Sequence, residues 1–206
     1  MLSCTAKMAP EGGGSEMTRS ACAALAVALT LLGCAPAFEE TPPSVEGFCE
    51  MSPCREPLRV RLKQAGDGYF DRTYRRLPPV VQPAFISVYA GETLYIEAEE
   101  GEEGPVNLLH VRENRNPDRT IEIQLAQDRD LGDGLGMLLV VRNPFPRPLR
   151  YNLSMMPLDR EEMYRTSSCP VVPRGSASET WPFPVFVVAM ADLRFLGPEG
   201  PFRCEK

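Results

Sequence analysis

From residue 58 onward, apolar and polar residues trade places in short runs. Leu58, Val60 and Leu62 stand against Arg59, Arg61 and Lys63, a period of two that predicts a strand with one buried face. Runs of strand-forming character recur over 84–89, 93–98, 106–111, 121–125 and 149–155. The alternation is strictest in Ile121-Glu122-Ile123-Gln124-Leu125 and Leu149-Arg150-Tyr151-Asn152-Leu153. Met137–Val141 lacks it, which predicts a strand covered on both faces. A last run, Val185–Met190, continues into Leu193 and Phe195. Gly, Pro and Asp turns separate these segments, and the 21 prolines and 16 glycines suit short strands better than long helices. The expectation is an all-β fold, an antiparallel β-sandwich of about seven or eight short strands over residues 57–206. Only Leu158–Tyr164 has the character of a helical turn, and there is no internal repeat.

The first third reads differently. Ala21–Leu32 is an uncharged apolar run with Arg19 before it and Gly33-Cys34 after it. Crossing a bilayer takes about 20 apolar residues, so this shorter run fits the hydrophobic region of a signal peptide over residues 1–33. Met17 makes the more compact start, because Gly12-Gly13-Gly14 and two acids suit a signal's leading segment poorly. Residues 34–56 form a tether: Pro36, Pro42, Pro43 and several acids interrupt any apolar period.

Leu31-Leu32-Gly33-Cys34 resembles the lipobox of bacterial lipoprotein precursors. The resemblance implies cleavage before Cys34, a diacylglyceryl group on its thiol, and usually a further acyl chain on the freed amine. Two or more chains hold firmly where one holds reversibly, since each buried CH₂ contributes about 0.8 kcal/mol. Ala35 in place of an Asp after the cysteine implies sorting to the outer membrane, facing the periplasm or the surface.

The cysteines bear on the compartment. Removing the signal deletes Cys4 and Cys22, and lipidation consumes Cys34, leaving Cys49, Cys54, Cys169 and Cys204. An even number of thiols in an exported chain is the setting where they pair. Proximity along the chain favours Cys49 with Cys54 and Cys169 with Cys204; the nested pairing of Cys49 with Cys204 and Cys54 with Cys169 stays open. Four residues between Cys49 and Cys54 do not make the Cys-x-x-Cys spacing of thiol oxidoreductases.

Charge and residue choice narrow the chemistry. A net charge of -6 argues against a nucleic-acid partner. One histidine, His110, makes imidazole metal cages and relay networks improbable. Asp128, Asp130 and Asp133 could begin a cage for a hard cation, but Gly132 and Leu139 stand where a calcium loop needs ligands, so a solvated turn is the expectation. The acids around Gly101 and Gly104 (Glu97, Glu99, Glu100, Glu102, Glu103) read as a hydrated hairpin tip. No cofactor is expected. Asn143-Pro-Phe-Pro-Arg-Pro148 and Trp181-Pro-Phe-Pro184 are stiff aromatic segments, making Phe145, Trp181 and Phe183 candidate partner contacts.

The stretch from Ile86 to Tyr151, above all Val88–Ile96, is similar in cadence to β-sandwich modules of secreted bacterial proteins, a likeness that carries no activity. The function expected is that of a lipid-anchored envelope protein, non-catalytic, working by binding or as structure. An accessory subunit of an envelope complex is the alternative, and a small periplasmic hydrolase using His110 or the acidic loop a further one.

Overall fold

The computed structural model describes residues 55–197, 200 and 202–205. Eleven strands run through the described residues, and all their pairings are antiparallel. The strands are β1 (Leu58–Lys63), β2 (Tyr69–Tyr74), β3 (Phe85–Tyr89), β4 (Thr93–Glu100), β5 (Pro105–Val111), β6 (Thr120–Gln127), β7 (Met137–Arg142), β8 (Leu149–Pro157), β9 (Tyr164–Thr166), β10 (Ser176–Trp181) and β11 (Val185–Phe195). They form a five-stranded sheet in the order β10-β7-β6-β4-β5, a four-stranded sheet in the order β3-β11-β8-β9, and a β1-β2 hairpin. The fold is all-β and sandwich-like, as the alternation implies.

Side chains from all three sheets meet in one hydrophobic cluster. Ile121, Ile123 and Leu125 of β6 lie against Leu94 and Ile96 of β4 and Met137, Leu139 and Val141 of β7. The four-stranded sheet supplies Ile86, Val88, Leu149, Tyr151, Leu153, Val188 and Met190. From the hairpin, Val60 and Leu62 enter the same cluster, while Phe70 and Tyr74 lean on Phe186 with ring centroids 6.1 and 5.5 Å apart. Burial of one face on every second residue accounts for the main driving force, each large aliphatic side chain contributing roughly 1.5–3 kcal/mol.

Three expectations need correction. Leu158–Tyr164 forms turns and bends leading into β9, with no helical turn. β7 keeps an alternating burial pattern: Leu138 and Val140 are only partly covered, because their cross-strand neighbours are Ala126 and Thr180, and Gln124 and Ser178, too small or polar to roof them. Arg55, placed in the tether by its sequence, is seated in the sandwich. Three strands, β2, β9 and β10, are additions. β2 carries Asp71 and Arg72 at its centre, β9 is three residues long, and β10 (Ser-Ala-Ser-Glu-Thr-Trp) has little apolar content, so none shows a clear period of two.

Candidate functional surfaces

The chain joins the sandwich through an ion pair. Arg55 Nε donates to Glu92 Oε1 at 2.9 Å, and the two side chains are only 4% and 9% exposed. The other guanidinium nitrogens of Arg55 donate to the carbonyls of Pro78 and Ser87 and to Ser87 Oγ, and its face lies over the Tyr89 ring. Glu92 Oε2 in turn accepts from the Tyr89 backbone N–H at 2.7 Å. Loss of solvent holds the Glu92 carboxyl above its ordinary pKa in spite of Arg55, and lowers that of the guanidinium. Gly91, at φ +90 in the β3–β4 turn, lets the chain reverse sharply enough to bring Glu92 back onto β3.

His110 borders the same recess. It sits opposite Ile96 in the β4–β5 register, on the core-side face at the open edge of the sheet, and remains exposed. Loss of solvent, then the charges of Arg55 and Arg112, lower its pKa. The recess wall contains Glu56, Glu92 and Arg112 but no serine or cysteine among its described residues. Glu92 is already engaged by Arg55 and Tyr89, and Glu56 by Arg112. Among the described residues the geometry gathers charged groups beside His110 and brings no nucleophile to it.

The Asp128 segment is a turn. Asp128 Oδ1 accepts from the Asp130 backbone N–H at 2.9 Å, and Gly132–Gly134 make a short 3-10 turn in which Gly132, Asp133 and Gly134 all have positive φ. Among the described residues no group of three His, Cys, Asp or Glu side chains converges as a metal site would require. The acidic β4–β5 turn is held by its backbone: Gly101 donates to Gly104 at 3.0 Å, Phe195 to Glu103 at 2.7 Å, and Arg147 reaches the carbonyls of Gly101 and Glu102. The side chains of Glu99, Glu100, Glu102 and Glu103 stay exposed. Glu97, on the outer face, is engaged instead, accepting from Asn116 and Arg119 at 2.7 and 2.6 Å, and these bonds lower its pKa.

The aromatic candidates divide. Phe145 and Trp181 are 2% and 6% exposed and belong to the core cluster. Phe145 stacks edge-on against Phe195 at 5.2 Å, and Trp181 Nε1 donates to Thr166 Oγ1 at 3.1 Å. Their flanking prolines end strands and turn the rings inward, which withdraws both from contact with a partner. Phe183, two residues past Trp181, is 37% exposed beside an open recess of about 720 Å³ with Leu135, Leu158 and Pro184. It is the one of the three that faces outward.

Cys169 and Cys204 are joined by a disulfide that brings their Cα atoms to 4.0 Å. Backbone bonds at 3.0 Å run both ways between Ser168 and Glu205, and Arg150, buried on β8, pairs with the Glu205 carboxylate and donates to the Arg203 carbonyl. Nearby, Glu179 points inward from β10 and accepts from the Cys169 N–H at 2.6 Å. Cys34, Cys49 and Cys54 lie outside the described residues.

Two features escaped sequence reading. Arg55 and Glu92 are 37 residues apart and carry no motif. The β5 edge gave only a faint signal: Pro105–Val111 contains no residue with a formal charge. Comparison with protein-family models, with curated proteins and with solved structures finds no match for this chain.

Proposed function

We propose that this chain is an exported lipoprotein, anchored to the outer membrane through acylated Cys34, whose β-sandwich acts by binding another envelope component and carries out no catalysis. The observation that carries the reading is the position of Cys34, directly after the apolar run and twenty residues (35–54) ahead of Arg55. Fully extended, such a segment reaches about 70 Å, enough for the domain to stand clear of headgroups. Two further facts support it. The Cys169–Cys204 bond suits an oxidising compartment. The buried seat of Arg55 gives a tether a firm point of attachment, since a pull on the chain meets a guanidinium fixed on three carbonyl and carboxylate partners.

The test is Cys34→Ala in the native cell, with fractionation and metabolic labelling by a radioactive fatty acid. The expected result is loss of label and movement of the protein out of the membrane fraction. Unchanged membrane association with no label on the wild-type chain would refute the anchor. For the role as a subunit of a larger complex, Phe183 beside its apolar recess is the supporting feature. A photo-crosslinking residue at position 183 should capture a neighbour that the same residue at buried position 145 does not.

A further inference from the structure

Among the described residues the sheet edges differ in how strongly they discourage another strand. β9 offers three residues. β10 turns a charged side chain, Glu179, toward the core and shows serines and a threonine outside. The free side of β3 is occupied by residues 80–82, through a Val81–Ile86 bridge and a Ser87 N–H to Val80 carbonyl bond of 3.0 Å. The β1–β2 hairpin is studded with Arg59, Arg61, Lys63, Asp71 and Arg72. Short strands, inward charges, covering segments, outward Lys or Arg, edge prolines and β-bulges are the devices by which proteins blunt edges.

β5 is the least protected: Pro105 at its start and a bulge are its devices, and among the described residues it has no outward Lys or Arg, no inward charge and no covering segment. It is seven residues long, carries no formal charge, and lies at the end of the five-stranded sheet. Leu109 and Val106, opposite Glu97 and Glu99 on the outer face, are 60% and 46% exposed. Its one irregularity is the bulge at Asn107, which has φ 54 and donates to Glu99 Oε2 at 2.8 Å. The bulge interrupts the ladder between Glu97 and Glu99 and leaves Leu109–Val111 in regular register with β4.

Charge along this edge is uneven. At the Pro105 end stand the exposed acids Glu99, Glu100, Glu102 and Glu103. A recess of about 770 Å³ opens there against Glu102, Glu103 and Val106. The two arginines in its wall are engaged: Arg147 on the carbonyls of Gly101 and Glu102, Arg194 on Asp192. At the Val111 end, Arg112 pairs with Glu56 and Arg115 with Glu113.

We propose that β5 is a docking edge for an extended segment of a partner protein, added antiparallel as a further strand, with apolar residues over Leu109 and Val106 and lysines or arginines at its C-terminal end. An antiparallel addition follows the pairing of the rest of the sheet and places the C-terminus of the incoming strand beside Pro105 and the acidic turn. The rise of a strand puts that turn about 13 Å beyond Leu109, so the basic residues follow about four positions after the one facing Leu109. This partner class deepens the binding reading above and rests on it, but not on the lipid anchor.

The test is selection of a phage-displayed library of twelve-residue peptides on the detergent-solubilised full chain. Enriched peptides should alternate apolar residues and end in Lys or Arg on the C-terminal side. A synthetic representative should bind Leu109→Lys at least about tenfold more weakly, Glu102→Lys/Glu103→Lys likewise, and its reversed sequence should bind poorly to the wild-type chain. Both variants sit on the surface, and an unchanged melting temperature verifies their folding. Peptides indifferent to Leu109→Lys overturn the proposal; if they instead lose affinity on Phe183→Ser, the binding reading stands and the edge does not. A chain that sediments as a dimer and is made monomeric by Leu109→Lys also overturns it, because a second copy then occupies the edge.

Discussion

Arg55 and Glu92 form an ion pair inside the sandwich, at 2.9 Å, with both side chains almost wholly withdrawn from solvent. Such a pair contributes little compared with an apolar pair of the same shape, yet removing one member strands the other charge. That loss costs about 3–5 kcal/mol. Arg55→Ala should therefore lower Tm by roughly 6–20 °C, at about 2–4 °C per kcal/mol for a chain of this size. Replacing both residues by Met and Leu should recover much of the loss. Differential scanning calorimetry of the two variants decides it; equal losses in both would mean that the ion pair is not the cause.

Glu179 gives a pH dependence. Loss of solvent raises its carboxyl pKa, partly offset by the Cys169 N–H, and the same burial together with Glu179 raises the Tyr151 hydroxyl. Between the ordinary carboxylate value of about 4.3 and the raised one, the folded state holds a proton that the unfolded chain has released. The contribution is present in full below the ordinary value and is lost as pH rises through the folded one. Glu179→Gln, which keeps an acceptor for Cys169, should match wild type near pH 4 and gain on it toward pH 7. Thermal melts across that range are the measurement, and parallel curves would refute the shift.

The disulfide closes a separation of 35 residues. On chain-entropy grounds it contributes about 3–4 kcal/mol. Reduction, or Cys204→Ser, should lower Tm by roughly 6–16 °C and make the C-terminal tail the first site of tryptic cleavage, at Arg203. A cleavage pattern that does not change on reduction would mean that Arg150 and the Ser168–Glu205 bridge hold the tail by themselves.

Gly132 has φ +54, and a Cβ there would collide with the Pro182 carbonyl. Gly132→Ala should destabilise by about 1–3 kcal/mol through backbone strain. The Asp128 loop needs this glycine as a turn, so millimolar calcium should leave Tm within about 1 °C of its starting value. A clear calcium-dependent rise in the wild-type melt would reverse that assignment.

Strands such as β6 and β8 were legible because a half-buried strand must repeat every two residues, and Ile121-Glu-Ile-Gln-Leu125 does. β10 was not, because its inward Glu179 breaks the period for a reason visible only once Cys169 arrives from a loop ten residues earlier. Phe145 and Phe183 sit in nearly identical proline frames, yet one is core and the other surface. Proline stiffness says that a ring is held, without saying toward what.

Period, composition and the cysteine at the end of the apolar run are properties of neighbours along the chain, so the all-β class and the expected site of acylation could be read without coordinates. The seat of Arg55, the inward turn of Phe145 and Trp181, the choice of the favoured Cys169–Cys204 pairing over the nested one and the place of β5 at the end of its sheet depend on which distant segments become neighbours in space. Those choices follow from burying one face of every strand at once, a condition that no local stretch of sequence can satisfy alone.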